Sequence, residues 1–298
     1  MCIDCDERQI TRRSFVAGAS VAIGAAALGQ KSMAQQPAPT ELALNDPAVL
    51  HSDVTFESGS DTTNGYLARP KKKGRYHAVL IAQGNPGVSE DIRNTAAQLA
   101  QAGFIGLAYD WGSIAPMPAN AEARAKWQDD IFRYEFTKHQ MRNLQSGIEF
   151  LRRQPFTRRG RLSMLGFCGG GRLGLLFAAQ SNEVGSVISF YGPVLYHDRK
   201  HKSDPIPDVM DVVKQIKVPV QGHYGMLDVV APVTDAKLLE KALRAQGTPV
   251  EMYYYEGAGH RFYNFTVPAG SDPGYDYNPP AAALAHQRML AFLRKYNR

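Results

Sequence analysis

From about residue 51 onward, short apolar runs rich in β-branched and aromatic residues alternate with longer stretches whose apolar positions recur at helical spacing. This rhythm predicts an α/β domain with a mostly parallel sheet and helices on both faces. The segment 77–83 reads as a buried strand, followed by a tight loop at Gly84-Asn85-Pro86-Gly87. Ser89 then opens a helix whose apolar positions Ile92, Ala96, Leu99 and Ala100 end at Gly103, a glycine suited to closing a helix. Strands are expected over 104–109, 161–167, 187–191, 218–224 and 250–255, and helices over 170–180, 232–246 and 280–295. Residues 112–119 contain two prolines and break the pattern, 121–153 is helical in composition, as two pieces, and 192–208 reads as a loop. The strand ends bring Asp110, Cys168, Asp228 and His260 toward one edge of the sheet, the edge where doubly wound folds bind ligands.

The first 34 residues follow a different pattern. Thr11-Arg12-Arg13-Ser14-Phe15 leads into an apolar run rich in Ala and Gly that ends at Leu28, and Ser32 and Ala34 suit a cleavage site. A run of this length is short for a membrane span, which takes about 20 apolar residues. Residues 1–34 are therefore expected to be a cleaved twin-arginine export signal, residues 35–50 a proline-containing flexible lead-in, and residues 51–298 the folded domain. This implies contact with the twin-arginine export machinery during secretion and a mature protein in the periplasm or outside the cell, expected as a monomer.

Charge and cysteine content narrow the picture. The 298-residue chain has a net charge of +6, and without its first 34 residues 30 Lys and Arg stand against 25 Asp and Glu, about +5. Lys71 to Lys73 and Arg152, Arg153, Arg158, Arg159 and Arg161 form basic clusters, but no interleaved aromatics or nucleic-acid motif accompany them. They read as solvated faces, and no nucleic-acid partner is expected. Cys2 and Cys5 fall in the signal, which leaves Cys168 as the only thiol of the mature chain and rules out an internal disulfide there.

Cys168 lies in Gly166-Phe167-Cys168-Gly169-Gly170, the G-x-C-x-G form of a strand-to-helix nucleophile elbow. A side chain at Gly166 or Gly170 would collide with neighbouring backbone in so tight a turn, and the helix N-terminus beyond it favours thiolate. The acid and the base follow in the order this elbow demands. Asp228 sits in Gly225-Met226-Leu227-Asp228, after a strand, and His260 in Glu256-Gly257-Ala258-Gly259-His260, after the next. His260 would take the thiol proton and Asp228 would fix its tautomer. His223 competes as base, but its place in a strand end reads as a packed histidine; His51, His77, His139, His197, His201 and His286 show no triad or metal spacing. For the oxyanion, the Gly169 amide is one candidate donor and Asn85 the other, because Pro86 has no N–H. Trp111, Phe262 and Tyr263 are candidates for the pocket wall and equally for the core.

With these motifs, the sequence resembles the dienelactone hydrolase family over roughly residues 75–298. The resemblance rests on Ile81-Ala82-Gln83 with Pro86-Gly87-Val88, on Gly166-Phe167-Cys168-Gly169-Gly170, on Phe190-Tyr191-Gly192, on Asp228 and on Glu256-Gly257-Ala258-Gly259-His260. It implies an α/β-hydrolase fold with little or no lid, a Cys168–His260–Asp228 triad, no metal or organic cofactor, and hydrolysis of an ester or lactone of the dienelactone type through an acyl-thioester. A general carboxylesterase or thioesterase, or a non-catalytic binder of small acyl compounds, is the alternative. Two positions depart from the family. Gly84 stands where well-known members have a glutamate that helps form the thiolate, and Asn264 where they have an arginine for the substrate carboxylate. Arg124 and Arg261 are the remaining arginine candidates for that role.

Overall fold

The computed structural model describes residues 43–84, 87–113, 118–120, 122–123, 126–127, 134–195, 207–267 and 272–297. The expected export signal, most of the lead-in, and the candidates Asn85 and Arg124 lie outside the described residues, as do parts of the loops that would form a lid. The described strands form one eight-stranded sheet: β1 (Val49–Ser58), β2 (Asp61–Pro70), β3 (Ala78–Ala82), β4 (Ile105–Asp110), β5 (Leu162–Phe167), β6 (Val184–Phe190), β7 (Val220–Gly225) and β8 (Val250–Tyr255), in the order β1-β2-β4-β3-β5-β6-β7-β8. From β4 through β8 neighbours run parallel, as the alternating pattern predicts, while β1 and β2 are antiparallel. The expected α/β class and mostly parallel sheet are what is observed.

Among the described residues, five helices cover this sheet: α1 (Glu90–Gln101), α2 (Tyr134–Arg153), α3 (Gly169–Gln180), α4 (Val233–Ala245) and α5 (Pro279–Tyr296). Their faces follow from strand register, because side chains alternate with a period of two. Gly106 packs on Ala96 of α1, whereas Leu80, whose partner across the ladder is Leu107, packs on Gly147 of α2. Since 106 and 107 point to opposite faces, α1 and α2 lie on opposite sides. Met164, the partner of Leu80, supports α3 through Gly174, and Tyr254, on that same face, reaches Glu240 of α4. Gln221, on the face of Gly106, binds the carbonyl of Arg288 in α5. Hence α1 and α5 cover one face, and α2, α3 and α4 the other. Ala78 through Ala82 are all buried, as a strand covered on both faces requires.

The hairpin β1–β2 was not resolved from the sequence pattern. Its register pairs Ser58 with Asp61 across a two-residue turn at Gly59-Ser60, with Gly59 at φ +63°, a backbone region that glycine enters without a side-chain penalty. The folded part also begins before residue 51. A 3-10 turn at Ala43–Asn45 is anchored by the Ala43 amide donating to Asn94 Oδ1 at 2.7 Å, and β1 starts at Val49.

Three buried histidines make this fold acid-sensitive. Burial, with the nearby Arg158, lowers His77 to about 4; burial and Arg294 lower His286 to about 4; and burial followed by Arg288 pushes His223 well below its usual value. All three are neutral when folded but take up protons near pH 6.5 when unfolded, so the unfolded chain binds more protons and stability is lost as pH falls from about 6.5 toward 4. The urea midpoint is expected to drop across that interval. His77→Gln, which can keep the contact to Ser163 Oγ at 3.1 Å, should flatten the slope by up to about 1.4 kcal/mol per pH unit. An equal slope in the two proteins would refute the assignment.

Candidate active site

The C-terminal ends of the parallel strands converge on Cys168. It lies between β5 and α3 with φ +53° and ψ −125°, a conformation that a residue with a Cβ rarely adopts. Close packing enforces it. A Cβ on Gly166 would come 2.2 Å from the Gly170 carbonyl oxygen, and one on Gly170 would come 2.2 Å from that of Ala82. A Cβ on Gly171 would meet Ser189 Oγ at 2.6 Å. Gly166, Gly170 and Gly171 therefore let α3 start against β3, β5 and β6 without intervening side chains. The Cys168 amide donates to the Phe190 carbonyl at 3.0 Å, and the Cys168 carbonyl accepts from Gly171 N–H at 2.9 Å, which fixes the turn from both sides.

His260 and Asp228 arrive on loops after β8 and β7. His260 Nε2 is 3.0 Å from Cys168 Sγ, and Nδ1 is 2.9 Å from Asp228 Oδ2. A carboxylate only accepts, so Nδ1 carries the hydrogen and Nε2 faces the sulfur. Asp228 Oδ1 accepts from the amides of Val230 and Ala231, each at 2.8 Å, so the carboxylate cannot swing away from the ring. The imidazole and carboxylate side chains are 4% and 0% exposed. Burial is the largest single influence on His260 and works against its charge. The hydrogen bonds to Asp228 and Cys168 and the charges of both outweigh it and bring the imidazole up to about 9. At neutral pH the ring is a cation held between two acidic groups.

The other candidates fall in different places. Gly169 opens α3 with its amide facing the loop after β3, where a Cβ on Gly84 would lie 3.1 Å from it. That same Cβ would be 2.8 Å from Cys168 Cβ and 3.2 Å from Sγ. Trp111 and Phe262, expected on the pocket wall, are instead core residues, 1% and 0% exposed. Trp111 Nε1 donates to the Gln83 carbonyl, and Phe262 packs between Tyr191 and Tyr255. Tyr263 is tied to His286 through its hydroxyl at 2.8 Å and stacks on Phe167. Asn264 turns back on its own loop, its Oδ1 accepting from the Thr266 amide and hydroxyl. Asp110, at the same sheet edge, ties loops together, accepting from Gly87 and Gly112 amides. His223 is packed, as its strand position predicts: its ring bonds Tyr255 and Gln221 and stacks on Phe190.

Sequence reasoning missed Tyr191 and Tyr275, whose rings pack on His260 at centroid distances of 5.0 and 5.9 Å. Tyr191 has φ +40°, an outlier for an aromatic residue, and its amide donates to the His223 carbonyl. The sequence reading met Tyr191 only at a strand end and within Phe190-Tyr191-Gly192, without a role for its ring. Among the described residues, no group of three or more His, Cys, Asp or Glu could hold a metal, and no helix is long and apolar enough to cross a membrane.

Residues 63–297 match the family model described as the dienelactone hydrolase family. The chain belongs to the dienelactone hydrolase family. It is a hydrolase of ester or lactone bonds. Relatives in this family include the probable 2-oxo-3-(5-oxofuran-2-ylidene)propanoate lactonase of a Bradyrhizobium species, 32% identical over 246 residues, covering 81% of this chain and 92% of the relative. A protein of Methylorubrum extorquens, assigned provisionally as a carboxymethylenebutenolidase, is 26% identical, with 98% of each chain covered. Among solved structures, one from Klebsiella pneumoniae subsp. pneumoniae, assigned provisionally as a dienelactone hydrolase, has a TM-score of 0.73 at 25% identity, covering 84% of this chain and 100% of its own.

The elbow glycines make a sharp contrast with Gly174, where an added Cβ meets nothing closer than 3.6 Å. Gly170→Ala is expected to destabilise by about 3 kcal/mol or more, because backbone must move. Gly174→Ala, in the interior of α3, should be neutral or stabilising by up to about 1 kcal/mol. Chemical denaturation of the two variants checks this pair, and similar midpoints would contradict the packing argument.

Proposed function

We propose that this hydrolase opens its ester or lactone through an acyl-thioester on Cys168, with His260 as acid and base and Asp228 as the group that orients it. The observation that carries this reading is the unbroken contact from Sγ through the imidazole to a carboxylate fixed by two amides. In the first half-reaction the Cys168 sulfur attacks the carbonyl carbon, and the negative oxygen is stabilised by the Gly169 amide together with that of Asn85. As the C–O bond breaks, His260 gives its proton to the leaving oxygen; in a lactone this oxygen stays on the acyl chain. A water then loses its proton to His260, attacks the thioester carbon, and releases the carboxylic acid and the sulfur. No cofactor takes part in these steps.

Loss of turnover in Cys168→Ala, measured on a panel of esters and lactones, is the direct test, and an unchanged rate would sink the thiol mechanism. Asp228→Asn should slow turnover by about 10²- to 10⁴-fold through the wrong imidazole tautomer. Because the imidazole is held near 9, the charged ring persists through neutral pH, and kcat/KM is expected to fall as pH rises past about 9 and the leaving group loses its proton donor. At pH 6, iodoacetamide should label Cys168 far faster in the wild type than in His260→Ala.

We further propose that the protein acts outside the cytoplasm, as a monomer, after export by the twin-arginine route. The support is Thr11-Arg12-Arg13-Ser14-Phe15 ahead of an apolar run and small residues at 32 and 34. Replacing both Arg12 and Arg13 by Lys should leave the full-length chain in the cytoplasmic fraction. Normal export and cleavage of that variant would count against the route.

A further inference from the structure

Two basic clusters that lie far apart in the chain meet in the fold. Lys71, Lys72, Lys73 and Arg75 sit on the turn that leads into β3, and Arg158, Arg159 and Arg161 on the turn that leads into β5. Backbone ties the two turns together: the Tyr76 amide donates to the Phe156 carbonyl and the Arg158 amide to the Tyr76 carbonyl, each at 2.8 Å. All seven cationic residues are exposed, and among the described residues none of their side chains forms an ion pair. Two carboxylates adjoin them, each with a partner of its own. Asp46 accepts from the Ala48 amide and from the Gln101 side chain, both at 2.7 Å, and Glu183 pairs with Arg152. These seven cations outnumber the +6 net charge of the whole chain, so the rest of the protein has one more acidic than basic residue. Positive charge is therefore gathered at one place, where its potential is far larger than the net charge alone would give.

That place is the end of the sheet opposite the triad. Arg161 directly precedes β5 and Cys168 directly follows it, so about 20 Å of strand separates them, and a partner at the patch leaves the site open. The patch lacks the other contacts that nucleic acid takes. Its aromatic neighbours are engaged: the Tyr76 hydroxyl donates to the Lys72 carbonyl at 2.8 Å, and the Phe156 ring lies under the Arg69 guanidinium at 4.6 Å, so neither is free to stack on a base. The cations are carried on two turns, not on one helix or strand that could enter a groove. Such a cluster suits a broad anionic plane, and about four to eight clustered Lys and Arg are enough to hold a protein on an acidic bilayer by charge. We propose that this end of the sheet is a docking surface for a bilayer rich in anionic phospholipid, bound reversibly with the triad turned away from the membrane. The proposal does not depend on the thiol mechanism.

The test is co-sedimentation with vesicles of phosphatidylcholine alone or of equal parts phosphatidylcholine and phosphatidylglycerol. The chain from residue 35 on is used beside the full chain, since every described strand and helix lies beyond that point and the apolar run ending at Leu28 then contributes nothing. Binding is expected to the phosphatidylglycerol vesicles only, and to be lost when salt is raised from about 0.1 M to about 0.5 M. Lys73→Glu with Arg159→Glu should weaken it by at least about tenfold. Lys237→Glu with Lys241→Glu, which gives the same net charge on the exposed side of α4, should leave it unchanged. Wild-type turnover of a soluble ester by both double variants checks that each is folded. No binding to the anionic vesicles, an equal loss in the two double variants, or tighter binding to duplex DNA than to these vesicles at the same salt would each overturn the proposal.

Discussion

The contact between the start of α3 and the ends of β3 and β5 is the constraint on which the site depends. With Gly166, Gly170 and the Ala82 carbonyl oxygen packed so closely that no Cβ fits between them, the chain can leave β5 only through a turn in which Cys168 adopts a left-handed φ. That conformation costs of order 1 kcal/mol or more, and it persists because the hydrogen bonds at Phe190 and Gly171 and the buried strands on either side leave the backbone no alternative. The strain lifts the sulfur out of the sheet and sets it at a helix N-terminus, facing the loops that carry His260 and Asp228. Without it, the side chain would point into one of the two covered faces.

Electrostatics then decides the state of the imidazole. Burial alone would keep His260 neutral, as it does His223, which is fully enclosed among aromatic rings and bonded to a phenol and an amide. The two histidines differ in their partners. His260 faces a carboxylate that cannot rotate away and a sulfur that can carry charge, so the desolvation cost is more than offset. The same ring in the same protein is thus pushed in opposite directions by what surrounds it, and the fold supplies both environments within adjacent strands.

Much of this was legible in the chain. Strands buried on both faces read as continuous apolar runs, helices as 3.6-residue repeats, and the elbow as a glycine pattern whose meaning is steric. The hairpin β1–β2 was harder to read because His51, Ser52 and Asp53 are consecutive exposed positions on an edge strand, which hides the period-two signal. Trp111 and Phe262 were open between pocket wall and core because aromatic residues near such a loop serve equally as lining or as packing under it, and only the fold distinguishes these. Tyr191 and Tyr275 left little local signal for their place against His260. That place comes from a strained backbone and from ring contacts, neither of which periodicity encodes.

The departure at Gly84 follows from the same packing. A side chain at this position would press on Cys168 Cβ at 2.8 Å, so the glutamate that the family resemblance leads one to expect would require the elbow to shift. The glycine leaves Sγ free to sit 3.0 Å from His260 Nε2. A carboxylate beside the sulfur would compete with it for the imidazole, and it would add a further anion to a buried site that already contains Asp228. With position 84 bare, the contact between the sulfur and the His260 ring is left undisturbed.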